Sequence, residues 1–216
     1  MTTFQAILSS SSLYIEFLSA VIAILKYNKI KNTYWKWFAY YLITIFLLEL
    51  NGKYGFANFL QYKKFYYDFF VIPFQFIFLY WLYAYQSLKN KKIFYIFSII
   101  YLLSTIPHFY YLEKMRNLNS LSYTIGVFLL MILIYFEFIK QIKSDNIINF
   151  KENRMFYINL GVIIFYVGTL PFFAFGIYSS KSTIYIWKNY ITVFYILLNL
   201  MYLLFIASLL WGKPKS

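Results

Sequence analysis

Apolar runs of about 18–24 residues, separated by short polar breaks, fill the chain, and each is long enough to cross a ~30 Å hydrocarbon core as a helix. They predict seven helices, at Leu8–Leu25, Trp37–Phe56, Phe65–Leu88, Ile93–Leu112, Leu121–Ile139, Met155–Tyr178 and Asn189–Trp211. Barrel strands would alternate apolar and polar residues over ~10-residue segments, a pattern the sequence lacks. The expected fold class is therefore all-α, a single polytopic integral membrane seven-helix bundle over residues 1–216. The least regular break, "NGKYGFANFLQYKK", leaves room for a short re-entrant or interfacial turn between helices 2 and 3.

The polar residues inside the runs fall into helical registers. In helix 1, Ser9, Ser12, Glu16, Ser19 and Ala23 are three or four apart and share one face. Small residues on such a face let helices approach closely, and hydroxyls bond across the interface. Helix 3 aligns Asp68, Gln75 and Gln86 near Pro73, and helix 4 aligns Ser98, Tyr101, Thr105 and His108 beside Pro107. Helix 6 aligns Asn159, Tyr166 and Thr169 ahead of Pro171, and helix 7 aligns Thr192, Tyr195, Asn199 and Tyr202. Glu49 and Asn51 of helix 2 lie on different faces. Gly161 and Gly168, seven apart, read as a packing face, and Glu137 beside Lys140 reads as an interfacial charge.

Composition agrees with the pattern: 62% of residues are hydrophobic and 12% charged, against roughly 25% charged in soluble domains. The net charge of +13 comes from Lys and Arg placed almost entirely in the breaks, with no basic domain to hold nucleic acid. Those charges set orientation. The breaks after helices 1, 3 and 5 and the C-terminal tail hold thirteen: Lys26, Lys29, Lys31, Lys36, Lys89, Lys91, Lys92, Lys140, Lys143, Lys151, Arg154, Lys213 and Lys215. The opposite side holds seven: Lys53, Lys63, Lys64, Lys114, Arg116, Lys181 and Lys188. The N-terminus is expected outside and the C-terminus in the cytoplasm, in a cell inner (plasma) membrane whose lipids are the immediate partner. No signal peptide is expected, because no basic residue precedes helix 1. The 26 Phe and 25 Tyr fit AT-rich codon usage together with interfacial aromatic belts. No cysteine is present, so disulfides and thiolate chemistry are excluded.

Ionisable groups at membrane depth are costly and mark candidate sites. With the N-terminus outside, Glu49, Asp68, His108 and Thr169 lie in the outer half, and Glu16, Tyr166 and Asn199 near the middle. Together with Gln75 and Tyr101 they outline an outward-facing, ligand-binding polar chamber, with proline kinks in helices 3, 4 and 6 at the same depth. Two plainer readings stand beside it. Glu16 can be a protonated, hydrogen-bonded carboxyl acting as glue, and Asp68 can snorkel toward Lys63 or Lys64. Helix 7 lacks the mid-membrane lysine of a retinal protein, and the single histidine excludes a histidine-rich zinc hydrolase. Glu16, Glu49, Asp68 and His108 are possible ligands for a divalent cation, but no spacing demands one. P-loop, GxGxxG and HExxH motifs are missing. The expectation is a non-enzymatic chain with no catalytic residue, metal or cofactor.

The stretch "NRMFYINLGVIIFYVGTLPFFAF" followed by "VFYILLNLMYLLFIASLLW" resembles the last two helices of bacterial seven-helix membrane sensor modules, which occur alone or ahead of histidine kinases. Asn153, Phe156, Gly161, Tyr166, Gly168, Thr169 and Asn199 carry the resemblance. It implies a signal-input role, and with loops too short for an effector domain the output is expected to need a separately encoded membrane or signalling partner. A small transporter or channel using Glu16 as coupling carboxylate is the alternative. A lipid-acting enzyme using Glu49, Asp68 or His108 is the third.

Overall fold

Over the described residues each predicted apolar run lies in a helix to within two residues, because in hydrocarbon a helix is the way one segment satisfies all its own backbone groups; 111–112 and 176–178, the ends of two predicted runs, lie outside the described residues. The computed structural model describes residues 2–56, 59–110, 120–144, 150–175 and 184–213. Among them are seven continuous helical segments: helix 1 (Thr3–Ile30), helix 2 (Trp35–Tyr54), helix 3 (60–87), helix 4 (Lys91–Tyr110), helix 5 (Ser120–Lys143), helix 6 (154–175) and helix 7 (Ile184–Trp211). No β-strand occurs among the described residues, only an isolated bridge between Asn153 and Lys213. Helix 1 starts earlier than hydropathy indicates. Thr2 and Gln5 form a reciprocal capping box, with Gln5 N–H donating to Thr2 Oγ1 (3.2 Å) and Thr2 N–H to Gln5 Oε1 (3.1 Å).

Five of the helices are long and apolar enough to cross a membrane, and the chain reads as a membrane protein. Helices 2 and 4 have 20 residues each, enough for ~30 Å at ~1.5 Å per residue. Their apolar content is diluted by Lys36, Tyr40, Tyr41, Glu49, Asn51 and Lys53 in one and by Lys91, Lys92, Ser98, Ser104 and Thr105 in the other.

Prolines shape helices 3 and 6. Pro73 cannot donate to the carbonyl of Phe69, and its ring crowds that carbonyl. Phe69 lies within a π-helical turn, Tyr67–Val71, which widens the helix just ahead of the proline. Pro171 stands in the same relation to Val167, the last residue of a second π turn, Ile163–Val167. A third, Trp81–Ser87, ends helix 3. Each wide turn advances the register by about one residue relative to an α-helix.

The chain forms two compact units, Met1–Leu50 with Asp145–Thr169 and Ser179–Ser216, and Asn51–Ser144 with Leu170–Tyr178. In the first unit helix 7 packs against helices 1 and 6. Helix 1 lies on it through the predicted stripe: Ser12, Glu16, Ser19 and Ala23 are buried, with Gln5 and Ala20 extending the face and Ser9 at its edge. Gln5 Nε2 donates to Thr192 Oγ1 (3.1 Å) and Asn199 Nδ2 to Ser11 Oγ (3.0 Å). Both rungs ascend together, so helices 1 and 7 run parallel. Helix 6 meets helix 7 through the expected glycines. A methyl group at Gly161 would sit 3.2 Å from the Met201 carbonyl oxygen, and one at Gly168 2.6 Å from Leu197 Cδ1. The start of helix 6 is clasped to the end of helix 7. Arg154 Nε donates to Gly212 O (2.9 Å), its guanidinium lies 5.6 Å from the Trp35 ring centroid, and Lys213 N–H donates to Glu152 O (2.8 Å).

In the second unit helices 3, 4 and 5 enclose an aromatic core. The Phe76 ring centroid lies 4.9 Å from that of Tyr101, 5.6 Å from Tyr123 and 6.1 Å from Tyr80. Tyr80 donates its hydroxyl to Gly126 O (2.8 Å). Part of the aromatic excess is thus core packing, beyond the interfacial belts expected from sequence. Gly126 is required by this close approach, since a Cβ there would lie 2.9 Å from both Phe76 Cζ and Tyr101 Cε2. Gly126→Ala should therefore cost about 1–3 kcal/mol through overpacking. Thermal unfolding in detergent should show a clear drop for this variant and little change for Phe128→Leu on the exposed face of the same helix.

Candidate functional site

Helix 1 delivers Glu16 into the interior of the first unit, where the residue is 3% exposed. Helix 7 presents Tyr202 there, fully buried, with Glu16, Tyr41, Glu49 and Tyr166 as its electrostatic neighbours. Tyr41, also buried, faces Glu16 and Glu49. Four helices therefore contribute two carboxyls and three phenols to one cluster, in which Glu49 is half-buried and the other four are buried. Tyr166 reaches it from the π turn Ile163–Val167, so the turn that accommodates Pro171 also carries a polar group into the cluster. Asn199 lies one helical turn before Tyr202; its Nδ2 is taken by Ser11, while its Oδ1 is buried with no hydrogen-bond partner among the described residues. Asn159 of helix 6 is wholly buried, with neither amide atom partnered among the described residues.

The predicted site residues are divided between the units. Glu16, Glu49, Tyr166, Thr169 and Asn199 belong to the first, and Asp68, Gln75, Tyr101 and His108 to the second. Thr169 is fully buried and donates its hydroxyl to Phe165 O (2.8 Å), a back-bond that satisfies a carbonyl of the widened turn. Asp68, 2% exposed, lies in the other π turn with Tyr101 as an electrostatic neighbour, so it does not snorkel to the surface. The His108 side chain lies outside the described residues, as do Lys114, Arg116, Lys181 and Lys215. Among the described residues no three His, Cys, Asp or Glu side chains converge as metal ligands.

Two sequence readings are corrected. Gln75 does not share the buried face of Asp68: the π turn advances the register, and Phe76 takes the inward position while Gln75 is partly exposed. Glu137 is not an interfacial charge. At 1% exposure it accepts from Ser87 Oγ (2.6 Å) and Gln141 Nε2 (3.0 Å). Lys140 Nζ then donates to Ser87 O (2.9 Å) and Ser87 Oγ (2.8 Å), closing a network between the ends of helices 3 and 5. Gln141, four residues after Glu137, was the readable sign of an inward face. Ser87, like Tyr41, looks ordinary in sequence and gains its role through tertiary packing.

Compared with models of known families, with curated proteins and with solved structures, the chain has no significant match. Chemical capability lies in the two arrangements themselves. The Glu16 cluster can bind and exchange protons and can hydrogen-bond a cationic or hydroxylated group. The Glu137 network has its donors and acceptors matched to one another and acts as a clasp. Ser87→Ala removes both a donor to Glu137 and an acceptor for Lys140, and should destabilise the protein by about 1–3 kcal/mol. A double-mutant cycle with Glu137→Gln, read by denaturation in detergent, should give clear coupling; additive losses would dissolve the network.

Proposed function

We propose that the chain is a seven-helix membrane module, N-terminus outside and C-terminus in the cytoplasm, that senses a small or lipidic ligand at the Glu16 cluster and relays a helix displacement to a separately encoded partner. Three features support the topology. The parallel run of helices 1 and 7 requires an odd number of crossings between them. Helix 4, one of the two diluted helices, turns Ile96, Ile99, Ile100, Leu103 and Ile106 outward. Such a stripe is a liability in water and ordinary against lipid. The thirteen-to-seven division of Lys and Arg sets the direction.

The observation that carries the functional reading is the gathering of Glu16, Glu49, Tyr41, Tyr166 and Tyr202 in one unit beside a π turn. A stability role alone does not call for a buried carboxyl, Glu16, with a second, half-buried one, Glu49, near it. A wide turn can shift its register, and on this reading helix 6 is the element that moves between two arrangements. A ligand biases such an element through its differential affinity for the two. The resemblance of helices 6 and 7 to sensor modules points the same way.

A transporter is the second reading, favoured by one pattern. In both helix 3 and helix 6 a buried polar residue, Asp68 or Tyr166, sits in a π turn five residues before a proline. Paired interruptions of this kind accompany transport sites.

These readings predict different outcomes. A fluorescent protein fused to the C-terminus should be cytoplasmic; an external C-terminus overturns the orientation. Affinity purification after cross-linking in native membranes should recover a second membrane protein, and Glu16→Gln should change its yield. Liposomes carrying the purified chain and an internal pH dye should show no proton flux under an imposed gradient. A flux abolished by Glu16→Gln would replace sensing with transport.

A further inference from the structure

The clasp between helices 3 and 5 borders a groove of about 540 Å³ lined by Leu88, Asn90, Ile93, Phe136, Ile139, Lys140, Lys143 and Ser144. Its walls change character in the same direction. On helix 5, Ile139 and Lys140 lie three and four residues after Phe136 and four and three before Lys143, so the four share a face. That face is apolar toward the middle of the helix and basic toward its end. On the opposite wall Ile93 lies inside helix 4, while Asn90 precedes the helix and caps it, its Oδ1 accepting from Ile93 N–H (3.1 Å). An apolar slot thus opens onto a basic lip where the helices end. Among the described residues no acidic side chain lines it.

The lip is organised in advance. Lys140, about half exposed at 46%, is held by two bonds to Ser87, one to its carbonyl and one to its hydroxyl. An ammonium group has three N–H donors, so the anchored Lys140 retains one for another oxygen. Glu137 lies 3.9 Å from that ammonium but is itself buried and bonded by Ser87 and Gln141. Lys143 stands one turn further on and is exposed, and Lys89, Lys91 and Lys92 are exposed on the adjoining turn, strengthening the positive field.

We infer that this groove binds one anionic phospholipid, its phosphate held between Lys140 and Lys143 and its acyl chain lying on Ile93, Phe136 and Ile139. The amphipathic grading selects this occupant: a free phosphate leaves the apolar slot unused, and a neutral lipid leaves the lysines unmatched. The site is separate from the Glu16 cluster and does not depend on that cluster sensing anything.

The test uses the full chain in phosphatidylcholine nanodiscs titrated with phosphatidylglycerol, lipid occupancy being read by native mass spectrometry. Each lysine near an anionic head group contributes ~1 kcal/mol, or about fivefold. Phosphatidylglycerol should therefore be retained at least about fivefold over phosphatidylcholine, and Lys143→Gln should remove about that factor. Lys29→Gln, an exposed lysine at the end of helix 1, should leave the preference intact, and Ile139→Gln should weaken retention of both lipids. Inorganic phosphate at matching concentration should not compete. Melting temperatures in lipid-free detergent identify any variant that has lost its fold, and Lys143 is exposed enough that its variant should retain it. Equal retention of the two lipids overturns the site. So does an equal loss from Lys29→Gln, which would make the effect diffuse charge, or competition by phosphate, which would make the groove a small-anion site.

Discussion

The seam between helices 1 and 7 is the interaction on which the first unit depends. Within a bilayer, lipid tails are as apolar as leucine, so burying apolar surface does not draw helices together; close packing and hydrogen bonds between helices do. Ser12, Ser19, Ala20 and Ala23 let helix 1 approach closely, and Gln5–Thr192 and Ser11–Asn199 fix its height along helix 7. Glu16 lies on this same face. Moving helix 1 away would expose its carboxyl to hydrocarbon at a cost of several kcal/mol. The seam that assembles the unit therefore also shelters its most costly group, and one displacement affects both.

The π turns extend this coupling along the chain. A proline in a membrane helix leaves a carbonyl without its usual donor, and that carbonyl needs another partner or a different backbone path. Helices 3 and 6 answer with a wide turn, and helix 6 adds a back-bond from Thr169 to Phe165 O (2.8 Å). Asp68 and Tyr166 sit within the widened segments. A wide turn rotates the residues that follow it, so the inward face of helix 3 runs from Asp68 to Phe76 instead of to Gln75.

That rotation shows where sequence reading succeeds and where it stops. Helix existence was legible because every run long enough to span carries its own periodic signal. The helix 1 stripe was legible for the same reason, since a regular helix makes spacing equivalent to direction. Gly161 and Gly168 were legible because seven residues return to one face, even across a wide turn that shifts the exact angle. Gln75 was misread because nothing in "YYDFFVIPFQF" announces a register shift until the proline's effect on the preceding turn is considered. Glu137 was misread because its neighbour Lys140 suggested a surface pair, while the decisive partner, Ser87, is fifty residues away in sequence. Tyr202 was legible on the polar face of helix 7, but Tyr41 could not be singled out among 25 tyrosines, since only packing distinguishes a phenol beside a buried carboxyl from one at an interface.

The buried polar groups also differ in how completely they are satisfied. Ser87, Glu137 and Gln141 use one another, with Lys140 closing the set, as expected of groups selected to hold two helix ends together. Single hydroxyls such as those of Tyr83 and Ser98 are buried without a hydrogen-bond partner among the described residues, a modest deficit for side chains that also supply packing volume. The amides are different. Asn159 keeps a donor and an acceptor unused and Asn199 an acceptor, on two adjacent helices of the unit that holds the Glu16 cluster. Each such group costs about 1–3 kcal/mol, and a leucine of similar size would avoid the penalty. The burial of Asn159 on helix 6 and Asn199 on helix 7 therefore sets a cost that the close packing of those two helices at Gly161 and Gly168 has to offset.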